Sequence, residues 1–561
     1  MTIMTILAKS ARQLFFLTLS GCLFLAQPLM AADGGSLADG RWLAANLASP
    51  DLLLLDVSPR PLYARNHIPG AVNVDALAVA SYGVHEMPLQ EIERIYQALG
   101  VDTKRKIVLY DEGGTWFATR LFFSLHYHGF PASQLYILNG GLAKWQADGL
   151  PLTNSVTPAP KPGSFKITRI EEDERSRLPD LVTASGDGAH KVLLDALGPD
   201  YHYGGAGFLD RAGHIPHAVL LPGEDFFNAD KTFKSHDEIK RMLAYLSIRP
   251  DQEIHAYCGG GGAASIPYFA LKYLAGYSKV KLSVESQMGW LQDDRELPFW
   301  TYANPSMMRQ TEWLKAWSGK VLRMYGIARV SVVDVRTPGA YAQGHLPFAL
   351  NVPAGTFKEL VNDPRKLAEI LGASGVDASH EAVVVSGAGL TKESALAFVM
   401  LGKLGQKKVS VFMDSMDSVE SLDKMARMGI ATTKEATIVG APGKPGDLAV
   451  PATTYVANDL PDGKLASANA TSGAYPRVYI ASGAKAPARV PDGKVLHIPY
   501  TELLNADGTP KSAMEIWTIL AKAGVPRYAE IVCIADDPGE AAAGFFVLKL
   551  MGFPEVKVVL G

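Results

Sequence analysis

The residues of this chain best suited to chemistry are His255-Ala256-Tyr257-Cys258-Gly259-Gly260-Gly261-Gly262-Ala263-Ala264-Ser265. The short apolar run from Glu253 to Tyr257 reads as a strand, and Ser265 to Leu274 as a helix with one apolar face. Between them one cysteine is followed by four glycines. Glycine lets a backbone turn tightly and approach a ligand closely. A loop of this kind, opening into a helix N-terminus, aims several N–H groups at one spot, where an anion is stabilised. Cys258 is therefore a candidate nucleophile. The N–H groups of Gly259, Gly260, Gly261, Gly262, Ala263 and Ala264 would hold the negative charge it carries. The bland reading of the same cysteine is a small buried hydrophobe.

Three other uses of a glycine-rich loop fail on the residues present. Gly259-x-Gly261-x-x-Ala264 formally fits a dinucleotide fingerprint, but four consecutive glycines meet it trivially and no acid follows at the required spacing. A cysteine phosphatase loop needs an arginine six residues on, and position 264 is alanine. No Gly-Lys-Ser/Thr is present for a nucleotide phosphate.

The 561 residues imply about four domains by length alone. Apolar residues make up 48% and charged residues 20%, the balance of a globular chain with ample core. A formal charge of −3 and the lack of a dense Lys/Arg cluster argue against a nucleic-acid partner. Three cysteines, Cys22, Cys258 and Cys533, make neither a disulfide framework nor a multi-cysteine metal site. Cys533 sits in the all-apolar strand Ile531–Ile534 and reads as core. Residues 1–32 read as an export signal: Lys9 and Arg12, an apolar stretch from Leu14 to Ala26, then Ala31-Ala32 before Asp33. Two outcomes stay open for this leader. Cleavage near Ala31 or Ala32 would leave a soluble periplasmic protein, whereas Leu19-Ser20-Gly21-Cys22 matches a lipobox, whose lipidated Cys22 would tether the chain to the membrane.

The elements around Cys258 recur along the chain. Leu52–Val57, Val192–Asp195 and Val332–Arg336 are apolar strands ending in Asp56, Asp195 and Asp334, which read as loop-bridging residues. Turn segments follow at His67–Ala71, Gly213–Ala218 and Gly344–Asn351. A second strand and a loop come next, then a strand leading to Trp145 or Trp290. The fourth unit is degenerate, with Val478–Ile480 and His497-Ile498-Pro499. Counting places Asp111 and Ala535 at the position of Cys258, and Ser386 there in the third unit, give or take one residue. Pro/Gly-rich linkers run from Thr153 to Gly163, Pro298 to Pro305 and Thr432 to Thr453. The domains expected are 36–152, 165–303, 306–430 and 453–561. Strands alternating with helices imply α/β units with small parallel sheets.

With these motifs, Asp56-Val57-Ser58 and Asp334-Val335-Arg336, the His67–Ala71 and Gly213–Ala218 turns, Tyr257-Cys258-Gly259, and Asn139-Gly140-Gly141 leading to Trp145, the chain resembles a tandem rhodanese-type sulfurtransferase. The resemblance implies four consecutive doubly wound domains with helices on both faces of each sheet. It also implies a cysteine persulfide intermediate, carried by the second domain alone. Sulfane sulfur would pass from a thiosulfate- or 3-mercaptopyruvate-type donor to a thiol, protein or cyanide acceptor, with no cofactor or metal. Substrate-binding roles for Arg211 and His217 follow from the same resemblance, beside structural readings of both residues. The alternative is a non-enzymatic envelope scaffold, or a sulfur or selenium carrier that delivers to a protein partner.

Overall fold

The computed structural model describes residues 36–75, 83–317, 328–430, 438–439, 448–449, 452–455 and 473–560. The leader, with Cys22, and most of the third linker lie outside the described residues. Four parallel sheets follow one another along the chain. The first contains β1 (Leu37–Ala38), β2 (Leu52–Asp56), β3 (Val72–Asn73), β4 (Lys106–Tyr110) and β5 (Leu135–Leu138), in the order β1-β5-β4-β2-β3. The second repeats this order with β6 (Arg175–Ser176), β7 (Lys191–Asp195), β8 (Val219–Leu220), β9 (Glu253–Tyr257) and β10 (Val280–Ser283). The third does so with β11 (Met308–Arg309), β12 (Val330–Asp334), β13 (Ala349–Asn351), β14 (Glu381–Val385) and β15 (Lys408–Phe412). A short antiparallel pair, β16 (Ile438–Val439) and β17 (Leu448–Ala449), precedes the last sheet. That sheet has four strands, β18 (Arg477–Ala481), β19 (Lys494–His497), β20 (Glu530–Ile534) and β21 (Val556–Val558), in the order β19-β18-β20-β21.

Continuous apolar runs suit strands covered on both faces. Leu53 and Leu55 of β2 enter one core, while Leu52 and Leu54 enter another on the opposite face, as the two-residue alternation of a strand requires. The strand-end carboxylates behave as loop bridges. Asp56 accepts the Ser58 N–H at 2.9 Å, Asp195 the Leu197 N–H at 3.1 Å, and Asp334 the Arg336 N–H at 3.0 Å.

The four units are joined as two pairs. One core runs through units one and two, and another through units three and four. In the first pair, helix Phe117–Tyr127 packs on the segment Ser265–Leu274, with Phe122 against Phe269 and Phe123 against Tyr268 at 5.0 and 5.1 Å. In the second, Lys392–Lys403 packs on Pro538–Leu550, a helix apolar on nearly every side because it is buried on nearly every side. Ser265–Leu274 is an α-helix only to Phe269. From Ala270 it widens to a π-turn, with the Ala275 N–H on the Ala270 carbonyl at 2.9 Å.

The two pairs share a local device. In the first, the turn Asn228-Ala229-Asp230-Lys231-Thr232 of unit two lies over the Gly113-Gly114 loop of unit one. In the second, Asn505-Ala506-Asp507-Gly508-Thr509 of unit four lies over the loop of unit three, its Gly508 carbonyl accepting the Leu390 N–H at 3.0 Å. Both turns need a residue at positive φ, Lys231 at 70° and Gly508 at 81°.

Candidate active site

Cys258 follows β9 directly, so the central strand of unit two delivers it to the carboxyl edge of the sheet. Its residue is 3% exposed. The Gly261 N–H donates to Sγ at 3.2 Å. Gly261 has φ +85°, and a Cβ there would lie 2.7 Å from the Val284 Cα, so the turn that aims this N–H requires glycine. The Cys258 N–H donates to Ser286 Oγ at 3.0 Å, and that hydroxyl donates to the Ser283 carbonyl at 2.7 Å. The Cys258 and Gly259 carbonyls accept the N–H groups of Gln287 and Met288, each at 3.0 Å. Ser286 holds φ 49°, a left-handed conformation uncommon outside glycine. The loop is thus clamped to the segment after β10, and the clamp orients the backbone around sulfur.

Aromatic rings close the loop from two sides. A Cβ on Gly259 would meet the Phe208 ring at 2.4 Å, and one on Gly262 would meet the Trp116 ring of unit one at 3.0 Å. Ser265 Oγ lies 2.7 Å from Thr119 Oγ1, and the Gly83 N–H donates to the Gly260 carbonyl at 3.2 Å. Gly262 starts the turn into the helix, its carbonyl accepting the Ser265 N–H at 3.0 Å, while Ala263 and Ala264 form the first turn and pack inward. Of the predicted loop donors, Gly261 is the one whose N–H reaches Sγ among the described residues, and the loop from Cys258 to Ala264 lies between the first two units.

Arg211 and His217 are placed differently. Arg211 donates from Nη1 to the Leu297 carbonyl at 2.7 Å. His217 packs edge-on against Trp300 at 4.7 Å and lines a cavity of about 270 Å³ together with Arg527 and Trp517 of unit four. Both hold structural contacts here, and neither has a described contact with Cys258. Phe208 and Trp116 were not foreseen from the sequence. Phe208 was legible only as part of an extra length: His214 follows His202 by twelve residues, where His67 follows Tyr63 by four.

The equivalent loops of units one and three are occupied by their own side chains. Asp111 accepts the Gly113 and Ala118 N–H groups at 2.8 and 3.1 Å, so a carboxylate fills the anion cradle of unit one. Ser386 Oγ donates to the Gly389 carbonyl at 2.6 Å. Ala535 offers no polar side chain, and the neighbouring Asp537 binds Lys392 and Lys358 of unit three at 3.0 and 3.1 Å. Cys533 is fully buried two residues earlier, and burial pushes its thiol up to about 12, as fits a core residue.

The "Rhodanese-like domain" model matches residues 39–148, 179–293 and 312–421, well over half of the chain. The chain belongs to the rhodanese-like family. The three matches fall on the first three sheets, and the rhodanese-like order of strands continues in the fourth sheet without its first edge strand. The chain is 35% identical over 283 residues to a probable 3-mercaptopyruvate sulfurtransferase of Pseudomonas aeruginosa, covering 47% of this chain and 97% of that protein. It is 31% identical over 259 residues to the sulfur carrier protein TtuD of Thermus thermophilus, covering 43% and 88%. A thiosulfate sulfurtransferase of Azotobacter vinelandii is 31% identical over 244 residues, again covering 43% and 88%. Among solved structures, the 3-mercaptopyruvate sulfurtransferase SseA of Escherichia coli is 26% identical and covers 45% of this chain and 97% of its own, with a TM-score of 0.40. Each of the three curated relatives matches under half of this chain but most of itself. Among the described residues no helix is long and apolar enough to cross a membrane.

Proposed function

We propose that this rhodanese-like protein is an exported sulfurtransferase that works through a persulfide on Cys258. The observation that carries the reading is the Sγ of Cys258 lying at a strand end inside a glycine cradle, with the Gly261 N–H directed at it. In the first half-reaction the Cys258 thiolate attacks the outer sulfur of a thiosulfate- or 3-mercaptopyruvate-type donor. The S–S bond of thiosulfate, or the C–S bond of mercaptopyruvate, breaks. Sulfite leaves with the electron pair in the first case, and pyruvate leaves after protonation of the enolate in the second. The terminal sulfur of the persulfide carries the charge, and the backbone N–H groups of Gly259 to Ala264 are the donors available to it. A thiol or cyanide then attacks that sulfur, forming a persulfide or thiocyanate and restoring the Cys258 thiolate. Units one, three and four, with Asp111, Ser386 and Ala535 at the equivalent position, take no sulfur. We count the fourth as a degenerate rhodanese domain.

Export rests on the leader sequence, in which Ala31-Ala32 and Cys22 remain the two processing sites. Intact mass of the mature protein separates a cleaved soluble form from a lipidated one. Steady-state turnover of thiosulfate with cyanide, and of 3-mercaptopyruvate with a thiol, tests the enzyme reading. Cys258→Ser should abolish both activities, and activity that survives the change would place the chemistry elsewhere. Charging without turnover would favour a carrier that serves a protein acceptor.

A further inference from the structure

Flanking the cysteine cradle, between units one and two, lies a cleft of about 210 Å³ that the sulfur chemistry does not use. Three arginines line it: Arg120 from helix Phe117–Tyr127, Arg175 from β6, and Arg177 just beyond. The Arg175 side chain is 2% exposed. Its Nη2 pairs with Glu285 at 2.9 Å and with Glu86, while its buried Nε makes no hydrogen bond. Arg177 reaches Glu172 at 3.3 Å and Glu86 at 3.7 Å. Arg120 donates to Ser124 Oγ at 2.7 Å. His128 also lines the cleft. Burial first, and then the nearby Arg120, hold its pKa down to about 4, so it adds no charge at neutral pH. Three guanidinium groups thus meet three carboxylates, Glu86 and Glu172 of the lining and Glu285, which lies 3.6 Å from Arg177 as well as beside Arg175.

These carboxylates are not equally fixed. Glu285, beneath the cleft, accepts the Leu178 N–H through its second oxygen at 2.9 Å and is held from two sides. Glu86 is 53% exposed at the rim. An arginine fork matches a planar carboxylate, and a buried guanidinium with an unmet N–H favours one more acceptor. We propose that this cleft binds a small carboxylate anion, which takes the place on Arg175 and Arg177 that the Glu86 side chain holds here. The site is distinct from the cysteine cradle but joined to it. Val284 lines the cleft and packs on Gly261, and Glu285 immediately precedes Ser286, which holds the Cys258 N–H. The proposal stands whether or not Cys258 carries sulfur.

The test uses the full chain with Cys258→Ser, which removes covalent chemistry, and calorimetric titration with succinate, pyruvate and sulfate. Saturable binding of a carboxylate is expected, about tenfold tighter with Glu86→Gln and about tenfold weaker with Arg177→Ala. Circular dichroism checks that both variants remain folded, and Arg177→Lys should recover part of the loss. Absence of saturable binding of either carboxylate in the Glu86→Gln protein overturns the proposal. So does binding that Arg177→Ala leaves unchanged, or sulfate binding tighter than both carboxylates.

Discussion

Cys258 is 3% exposed, yet a donor must reach its sulfur. The Phe208 ring lies against Gly259 and stacks on Tyr201 with centroids 4.9 Å apart. It sits on a segment with Gly204, Gly205, Gly207 and Gly213, where backbone rotation is easy. Phe208 is therefore the door of the cradle. Phe208→Ala removes the aromatic stack, worth about 0.5–1.5 kcal/mol. It also removes the partial burial of the ring, worth about 1 kcal/mol more. Roughly 2 kcal/mol less holding the segment closed raises its open fraction about 30-fold. The assay is the pseudo-first-order rate of alkylation at Cys258, followed by peptide mass mapping, with the fully buried Cys533 as internal reference. A rise of about 10- to 30-fold at Cys258, with Cys533 unchanged, is expected. An unchanged rate at Cys258 would show that Phe208 does not gate the sulfur and puts the entry route elsewhere. Faster reaction at both cysteines would mean that the variant had loosened the whole fold.

Gly261→Ala forces a Cβ onto the Val284 backbone at φ +85°, a strain of about 1–2 kcal/mol before any clash, and should slow persulfide formation at least about tenfold in a mass-resolved time course. Ser286→Ala leaves the buried Cys258 N–H without its acceptor, and the unfolding free energy should fall by about 1–3 kcal/mol in a denaturant titration. Burial would raise Glu174, but His126 at 3.7 Å and hydrogen bonds from Lys272 and Tyr268 outweigh it and hold its carboxyl down at about 2. A depressed carboxyl adds stability above its unfolded pKa near 4.5 and loses it as pH falls toward 2. The wild type should accordingly lose about 3 kcal/mol of stability over that window, and Glu174→Gln should lack this part of the acid transition.

Much of the architecture was legible because it is written in local pattern. The run Glu253–Tyr257 is β9 residue for residue, and the run Leu52–Val57 contains β2, which ends at Asp56, since a strand covered on both faces reads as a largely apolar run. The cysteine cradle was legible because glycine is demanded at Gly261 by φ, a constraint on one residue. What stayed hidden depends on residues distant in sequence. Phe208 reaches Gly259 across 51 residues, and Trp116 reaches Gly262 across 146. The arginine cleft brings Arg120 beside Arg175, each unremarkable in its own stretch of sequence. The pairing of units could have been suspected from Asn228-Ala229-Asp230 and Asn505-Ala506-Asp507, a repeat found in units two and four. The expected roles of Arg211 and His217 rest on family resemblance, and the contacts recorded for them are the Leu297 carbonyl and the Trp300 ring.

The central claim is that sulfur travels on Cys258 and on no other residue. Its most direct test is the mass of the intact, purified protein after brief exposure to thiosulfate or 3-mercaptopyruvate, with peptide mapping. The expected result is a gain of one sulfur atom, located on the peptide bearing Cys258, discharged by cyanide and absent from Cys258→Ser. No added sulfur with either donor, or sulfur found on Cys533 or retained in Cys258→Ser, would contradict it.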